Sequence, residues 1–173
     1  ERFESHSGVD ILRTARAAIE FILNGGESSF GGSTITQQLV KNLMDDDEDE
    51  GVAGVERKIR EMSRAVQIEQ MLSKQQILET YLNLIYMGGG SHTAVYGVEM
   101  GAQYYFAKSA KDLKLEESAF LAGINHIPNA YDPYGEEDNT ELIKNRTITV
   151  LAQMKKLGKI NEEEYNEAVE KVN

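Results

Sequence analysis

The sequence predicts an all-α domain, on three observations. Apolar residues recur three and four apart in nearly every periodic segment. Capping residues stand at the starts of those segments, and glycines or prolines at their ends. No stretch reads as a clear strand, alternating and bounded by turn residues.

In chain order, Asp10 is placed to cap a helix through about Leu23, with Ile11, Ala15, Ala18 and Ile22 on one face and Gly25-Gly26 as its stop. A second helix runs from about Ser33 to Met44. A loop follows, made of the acidic run Asp45 to Glu50 with Gly51 and Gly54; the run reads as a solvated loop facing water. The third helix spans about Val55 to Leu72. Ile59, Met62 and Val66 form one stripe, and Ile68 and Leu72 lie further along, so apolar residues on both sides predict a helix packed between neighbours. Ser73 with Gln76 has the spacing of a capping box, and opens a helix bearing Ile77, Leu78, Tyr81, Leu82 and Ile85. Gly88-Gly89-Gly90 breaks it. Tyr96 to Phe106 is predicted helical through Val98, Ala102 and Tyr105, and Leu115 to Ile124 is a short apolar helix. Pro128 and Pro133 mark the turn-rich loop of Asn129 to Asp138. Thr140 to Leu157 is amphipathic through Ile143, Thr147, Val150, Leu151 and Met154, and Gly158 stops it. Asn161 with Glu164 caps a last helix.

The 173 residues suit one domain with a sizeable core, and the 40% hydrophobic content is near the globular average. The absence of cysteine rules out disulfides and thiolate metal sites, which fits an extracytoplasmic protein that does without them. No apolar run reaches the roughly 20 residues that span a bilayer, and no signal-peptide pattern is visible. A net charge of −11 argues against nucleic acid as a partner.

The most informative stretch is Gly31 to Asn42, Gly-Gly-Ser-Thr-Ile-Thr-Gln-Gln-Leu-Val-Lys-Asn. Glycines let backbone approach a ligand closely. A helix start offers free N–H groups to an anion, and Lys41 adds a point charge. Gln37 and Lys41 fall on one helical face, with Gln38 and Asn42 beside them. On chemistry alone, a polar, anion-holding segment and a Ser/Thr-capped surface helix are evenly matched.

The segment resembles the second signature motif of the peptidoglycan glycosyltransferases of family 51. These form the transglycosylase domain of class A penicillin-binding proteins, and also occur as monofunctional enzymes. The other signatures follow in order, so the resemblance covers essentially residues 1–173. Phe3-x-x-His6-x-Gly8 resembles the end of the first motif. In that register the family's catalytic Glu and its Asp fall just before Glu1, so the domain is expected to lack its start, with the membrane anchor also upstream. Arg57-Lys58-Ile59-Arg60-Glu61 resembles the third motif; by itself it is an exposed i,i+4 pair of a few tenths of a kcal/mol. Ile77 to Gly88, continued by Tyr96-Gly97-Val98-Glu99, resembles the fourth motif, with Asn83 and Tyr86 as its polar candidates and a slightly long intervening segment in which His92 reads as a solvated loop residue. Glu117 to Ala122 and Pro128 to Pro133 resemble the fifth, which is mainly architectural.

The resemblance implies a lysozyme-like helical domain with a substrate cleft. It implies polymerisation of lipid II: the GlcNAc 4-hydroxyl attacks C1 of the lipid-linked MurNAc of the growing glycan chain, with inversion, and undecaprenyl pyrophosphate leaves. Lys41, Arg57 and Lys58 would hold pyrophosphate, and Glu61 would be the second active-site carboxylate. Ser33, Thr34, Gln37, Gln38, Asn42, Asn83 and Tyr86 would complete the substrate-binding set. A divalent cation such as Mg²⁺ is compatible with this chemistry, but no ligand cluster in the sequence marks a metal site. The membrane surface at the extracytoplasmic face, a moenomycin-type inhibitor and a C-terminal transpeptidase domain are the further partners it implies. One departure stands out: the family commonly has a basic residue four positions before Arg57, where this chain has Ala53. Two other readings compete: a lysozyme-like lytic enzyme, and a non-catalytic domain that binds lipid II or moenomycin. The three bases favour synthesis over lysis, since a hydrolase needs carboxylates and no pyrophosphate-binding cations.

Overall fold

Several helix starts in this chain are set by side chains that answer the free N–H groups of the first turn. The computed structural model describes residues 2–24, 31–44, 51–89, 93–135 and 138–172, the side chains of residues 21 and 51–53 excepted. Its helices are α1 (Ile11–Leu23), α2 (Ile35–Met44), α3 (Gly51–Met71), α4 (Lys74–Leu84), α5 (Val98–Phe106), α6 (Leu115–Ile124), α7 (Thr140–Lys156) and α8 (Glu162–Val172). Short 3-10 turns occupy Phe3–Ser5 and Ala110–Asp112. Among the described residues there is no strand, only an isolated antiparallel bridge between Tyr86 and Tyr96. The all-α expectation holds.

The local caps form as the sequence predicts. Asp10 accepts from the Arg13 N–H at 3.2 Å. Ser73 and Gln76 bond reciprocally ahead of α4, at 2.9 and 3.3 Å. Asn161 and Glu164 do the same ahead of α8, at 2.7 and 2.9 Å. The terminator Gly25-Gly26, the acidic run Asp45 to Glu50, Gly90 and His92 lie outside the described residues.

Two compact units form, Glu1–Leu84 and Ile85–Asn173. In the first, α2 packs against both α3 and α4, and Leu39, Val40, Ala65, Ile77 and Tyr81 are its buried apolar residues. The segment Phe3–Gly8 crosses α3 so closely that a Cβ on Gly8 would stand 2.6 Å from the backbone of Ala65. Gly8 also has φ +94°, which other residues rarely adopt.

Three expectations change in this unit and the next. α3 begins at Gly51, so residues 51–54 are helix, not loop. Propagating an established helix is cheap compared with nucleating one, and the long run after Val55 carries these residues with it. The stripe read on α3 is not the buried one either: Ile59 is 61% exposed, while Glu61 and Ala65 are buried. On α1 the apolar face, whose covering the sequence leaves open, lies outside, with Ile11 and Ile22 each 75% exposed. Periodicity finds an apolar face but not what covers it. In the second unit, α5 starts at Val98 rather than Tyr96, because Tyr96 is held in the bridge to Tyr86.

The second unit has its own core. Ala119, Leu151, Ile160 and Ala168 are buried together, with Leu115, Val150, Met154 and Tyr165 packed around them. Beside α5, Met87 and Val95 are tied through Met87 N–H to Val95 O at 2.8 Å. The Tyr105 hydroxyl donates to Met87 O at 2.7 Å, and burial pushes its pKa upward.

Candidate active site

Thr34 begins the site by ending the extended chain. Its hydroxyl oxygen accepts from the Gln37 N–H at 3.1 Å, and the Gln37 side-chain oxygen accepts from the Thr34 N–H at 3.1 Å. This is a reciprocal capping box built from Thr and Gln. The Thr34 hydroxyl also donates to Gly8 O at 2.6 Å. Thr34 and Gln37 are both fully buried, so the start of α2 is locked from inside. Gly32 backs against α1, where a Cβ would meet that of Ala17 at 2.9 Å.

The Gln37 amide nitrogen points the other way and donates to Glu61 Oε1 at 3.1 Å. Lys58 Nζ donates to the same oxygen at 2.5 Å and to Ser33 Oγ at 2.6 Å. Arg57 places Nη1 3.8 Å from Glu61 Oε2. The side chain of Glu61 is 8% exposed, against 18% for Arg57 and 36% for Lys58. Thus a buried carboxylate sits behind, and two cations stand between it and solvent. Arg57 Nε is buried and has no hydrogen-bond partner among the described residues. A buried guanidinium N–H without an acceptor costs free energy unless a ligand, water or ion completes it.

The structure therefore brings together Ser33, Gln37, Arg57, Lys58 and Glu61, with Thr34 beneath them. Gln38 is exposed on α2, and its side-chain oxygen accepts from the Tyr81 hydroxyl at 3.0 Å. Lys41 and Asn42 are exposed further along α2, and Asn83 is exposed on α4. Tyr86 belongs to the second unit, where its hydroxyl donates to Asn129 Oδ1 at 3.0 Å. Ala53 lies in the first turn of α3, its side chain outside the described residues. The residues here do not build a resident Mg²⁺ site: Glu61 Oε1 is already taken by Lys58 and Gln37. Among the described residues no three His, Asp or Glu side chains converge.

Sequence reasoning missed a second buried polar group beside this one. Thr36, fully buried, donates to Glu69 Oε1 at 2.6 Å, and Lys74 Nζ donates to the same oxygen at 2.7 Å. The available signal was spacing: Arg57, Glu61, Ala65 and Glu69 recur every four residues along α3, which marks the inward line better than the apolar stripe does.

The chain is similar in sequence to known proteins. The family model described as Transglycosylase matches residues 1–155. Penicillin-binding protein 1A of Clostridium perfringens is 42% identical over 177 residues, covering 99% of this chain and 25% of that protein. Penicillin-binding protein 1A of Pseudomonas aeruginosa is 40% identical over 170 residues, covering 98% of this chain and 19% of that protein. A crystal structure of penicillin-binding protein 1A from Haemophilus influenzae aligns with a TM-score of 0.49 at 28% identity, over 77% of this chain and 16% of that one. The chain spans a quarter or less of the length of these relatives.

Proposed function

Because the chain belongs to the transglycosylase family, we propose that it polymerises lipid II into peptidoglycan glycan strands by β-1,4 transfer. The observation that carries this reading is Arg57 and Lys58 set against buried Glu61 beside Ser33, with a buried Arg57 N–H still lacking an acceptor. A doubly charged pyrophosphate in a partly desolvated site needs such cations, and gains charge as it leaves.

In this reaction the new bond joins the acceptor 4-oxygen to C1 of the donor, and the C1–pyrophosphate bond breaks. The hydroxyl proton passes to a general base, a role the family resemblance gives to a glutamate of the first motif. Lys58 and the Arg57 guanidinium offset the charge on the departing pyrophosphate. Glu61 aligns Lys58, and Gln37 holds Glu61 from behind. Ser33, already within 2.6 Å of Lys58, lies where a phosphate oxygen would be received. Lipid II and the growing chain are thus the substrates.

The membrane is the proposed setting. Among the described residues no helix is long and apolar enough to cross a bilayer, but α1 presents Ile11, Leu12, Ile19, Ile22 and Leu23, all more than half exposed. Such a face is suited to lying in a lipid surface. We place that surface at the outer face of the bacterial membrane, where the lipid-linked substrate is used.

The test is glycan formation from lipid II by the full-length protein and by its Glu61→Gln variant. Long polymer from the parent and little from the variant supports the reading. Cleavage of finished glycan instead would make the protein lytic, and lipid II binding without product would make it a binding domain.

A further inference from the structure

We propose that Glu69 and Lys74 are positioning residues for the substrate-binding start of α2, acting through Thr36; this rests on the glycosyltransferase reading above. Glu69 follows Glu61 by two four-residue steps on α3, and its side chain is 7% exposed. A carboxylate that buried is costly unless it is paired and hydrogen-bonded. Lys74 Nζ at 2.7 Å supplies the charge, and the Thr36 hydroxyl at 2.6 Å supplies the bond.

His6 Nδ1 also lies 3.7 Å from Glu69 Oε1, and it accepts the Gly8 N–H at 3.2 Å. Lys74 does more than pair: it donates to His6 O at 2.7 Å and stands 4.6 Å over the Phe3 ring. One ammonium therefore fixes Glu69 and fastens the segment Phe3–Gly8.

The consequence for the site comes through Thr36, the neighbour of Gln37. The first turn of α2 is held to α3 at two points, Gln37 to Glu61 and Thr36 to Glu69. One attachment leaves a helix free to pivot, whereas two fix its rotation and its slide along α3. Ser33 and Gln37 enter the site from that turn. A displacement of about 1 Å at a reacting group can cost roughly 100-fold in rate. Among the described residues Glu69 hydrogen-bonds Thr36 and Lys74, so its direct path to the site is through α2, with a longer one through Lys74 and the segment Phe3–Gly8.

The test uses the full-length protein, lipid II polymerisation kinetics, thermal melting, and amide hydrogen exchange over residues 35–38. Thr36→Val and Glu69→Gln are expected to lower kcat at least tenfold with KM within threefold. Both should speed exchange at residues 35–38 at least tenfold, while Thr36→Ser keeps parental values. Lys74→Arg should retain more kcat than Lys74→Met. Parental kcat and exchange in Thr36→Val and Glu69→Gln would overturn the proposal, as would a Thr36→Ser variant as impaired as Thr36→Val. If Glu69→Gln fails to fold, Thr36→Val decides, because it leaves the Glu69–Lys74 pair intact. If the parent makes no polymer, the glycosyltransferase reading fails, and the exchange rates still decide whether Glu69 holds α2.

Discussion

Lys58 is bonded to two acceptors at once, Ser33 Oγ and Glu61 Oε1, which sets its ammonium at one point between a hydroxyl and a buried carboxylate. Lys58→Met removes that charge and leaves Glu61 to Gln37 and the more distant Arg57. We expect kcat/KM for lipid II to fall at least about 100-fold, roughly 2.7 kcal/mol of transition-state stabilisation. Lys58→Arg should recover little, since a planar fork does not reproduce a point donor shared by two acceptors. Arg57→Lys removes the buried Nε and should chiefly raise KM, if that N–H receives a substrate oxygen. Steady-state kinetics separates the two outcomes. Gly8 is a residue of another kind. Its φ is +94°, and a Cβ there would lie only 2.6 Å from the Ala65 backbone, which leaves no room for a side chain. Gly8→Ala should destabilise by about 2–4 kcal/mol, lowering Tm by roughly 5–15 °C in a melting experiment.

At the scale of the element, α1 owes its start to Asp10, which is 2% exposed and accepts from Arg2 at 2.6 Å and from the Arg13 N–H at 3.2 Å. Those hydrogen bonds, the Arg2 contact foremost, hold the carboxyl well below its ordinary range. Its folded pKa is thus lower than its unfolded value near 3.9, so the stabilisation is complete above about pH 5 and fades as pH falls below about 4. Asp10→Asn should lower Tm at pH 7, and the gap from the parent should narrow on acidification below pH 4. A gap that stays constant from pH 7 to pH 3 would contradict the assignment. Asp10 shows what a sequence makes legible: a cap joins residues two or three apart, so Ser73 with Gln76 and Asn161 with Glu164 could be read directly. Thr34 and Gln37 obey the same spacing, but their polar character suggested ligands and hid the box they form. Glu69 and Lys74 were not legible, because Thr36 and His6, which they reach, are 33 and 68 residues away in sequence. The ordered motifs located Arg57, Lys58 and Glu61, but spacing alone could not say which sides of α1 and α3 would be covered.

For the molecule as a whole, charge and apolar surface pull in opposite directions at a membrane. The net charge of −11 repels an anionic bilayer, while α1 offers Ile11, Leu12, Ile19, Ile22 and Leu23 to hydrocarbon. Repulsion is screened by salt, but apolar burial is not, so the two can be told apart. If α1 docks, binding to anionic vesicles should strengthen as salt rises from low to physiological ionic strength, and binding to neutral phosphatidylcholine vesicles should change little. A basic patch acting alone would give the opposite salt dependence. Fully burying one Leu or Ile contributes about 1.5–3 kcal/mol, so Leu12→Asp with Ile22→Asp should reduce partitioning by at least about tenfold. Because both side chains are already in water, 68% and 75% exposed, Tm should hold within a few degrees. Vesicle sedimentation at two salt concentrations, with melting of the same variant, reads both effects. Lost binding with an unchanged Tm places the bilayer on α1, whereas a collapsed Tm would mean that this face is covered within the full-length protein.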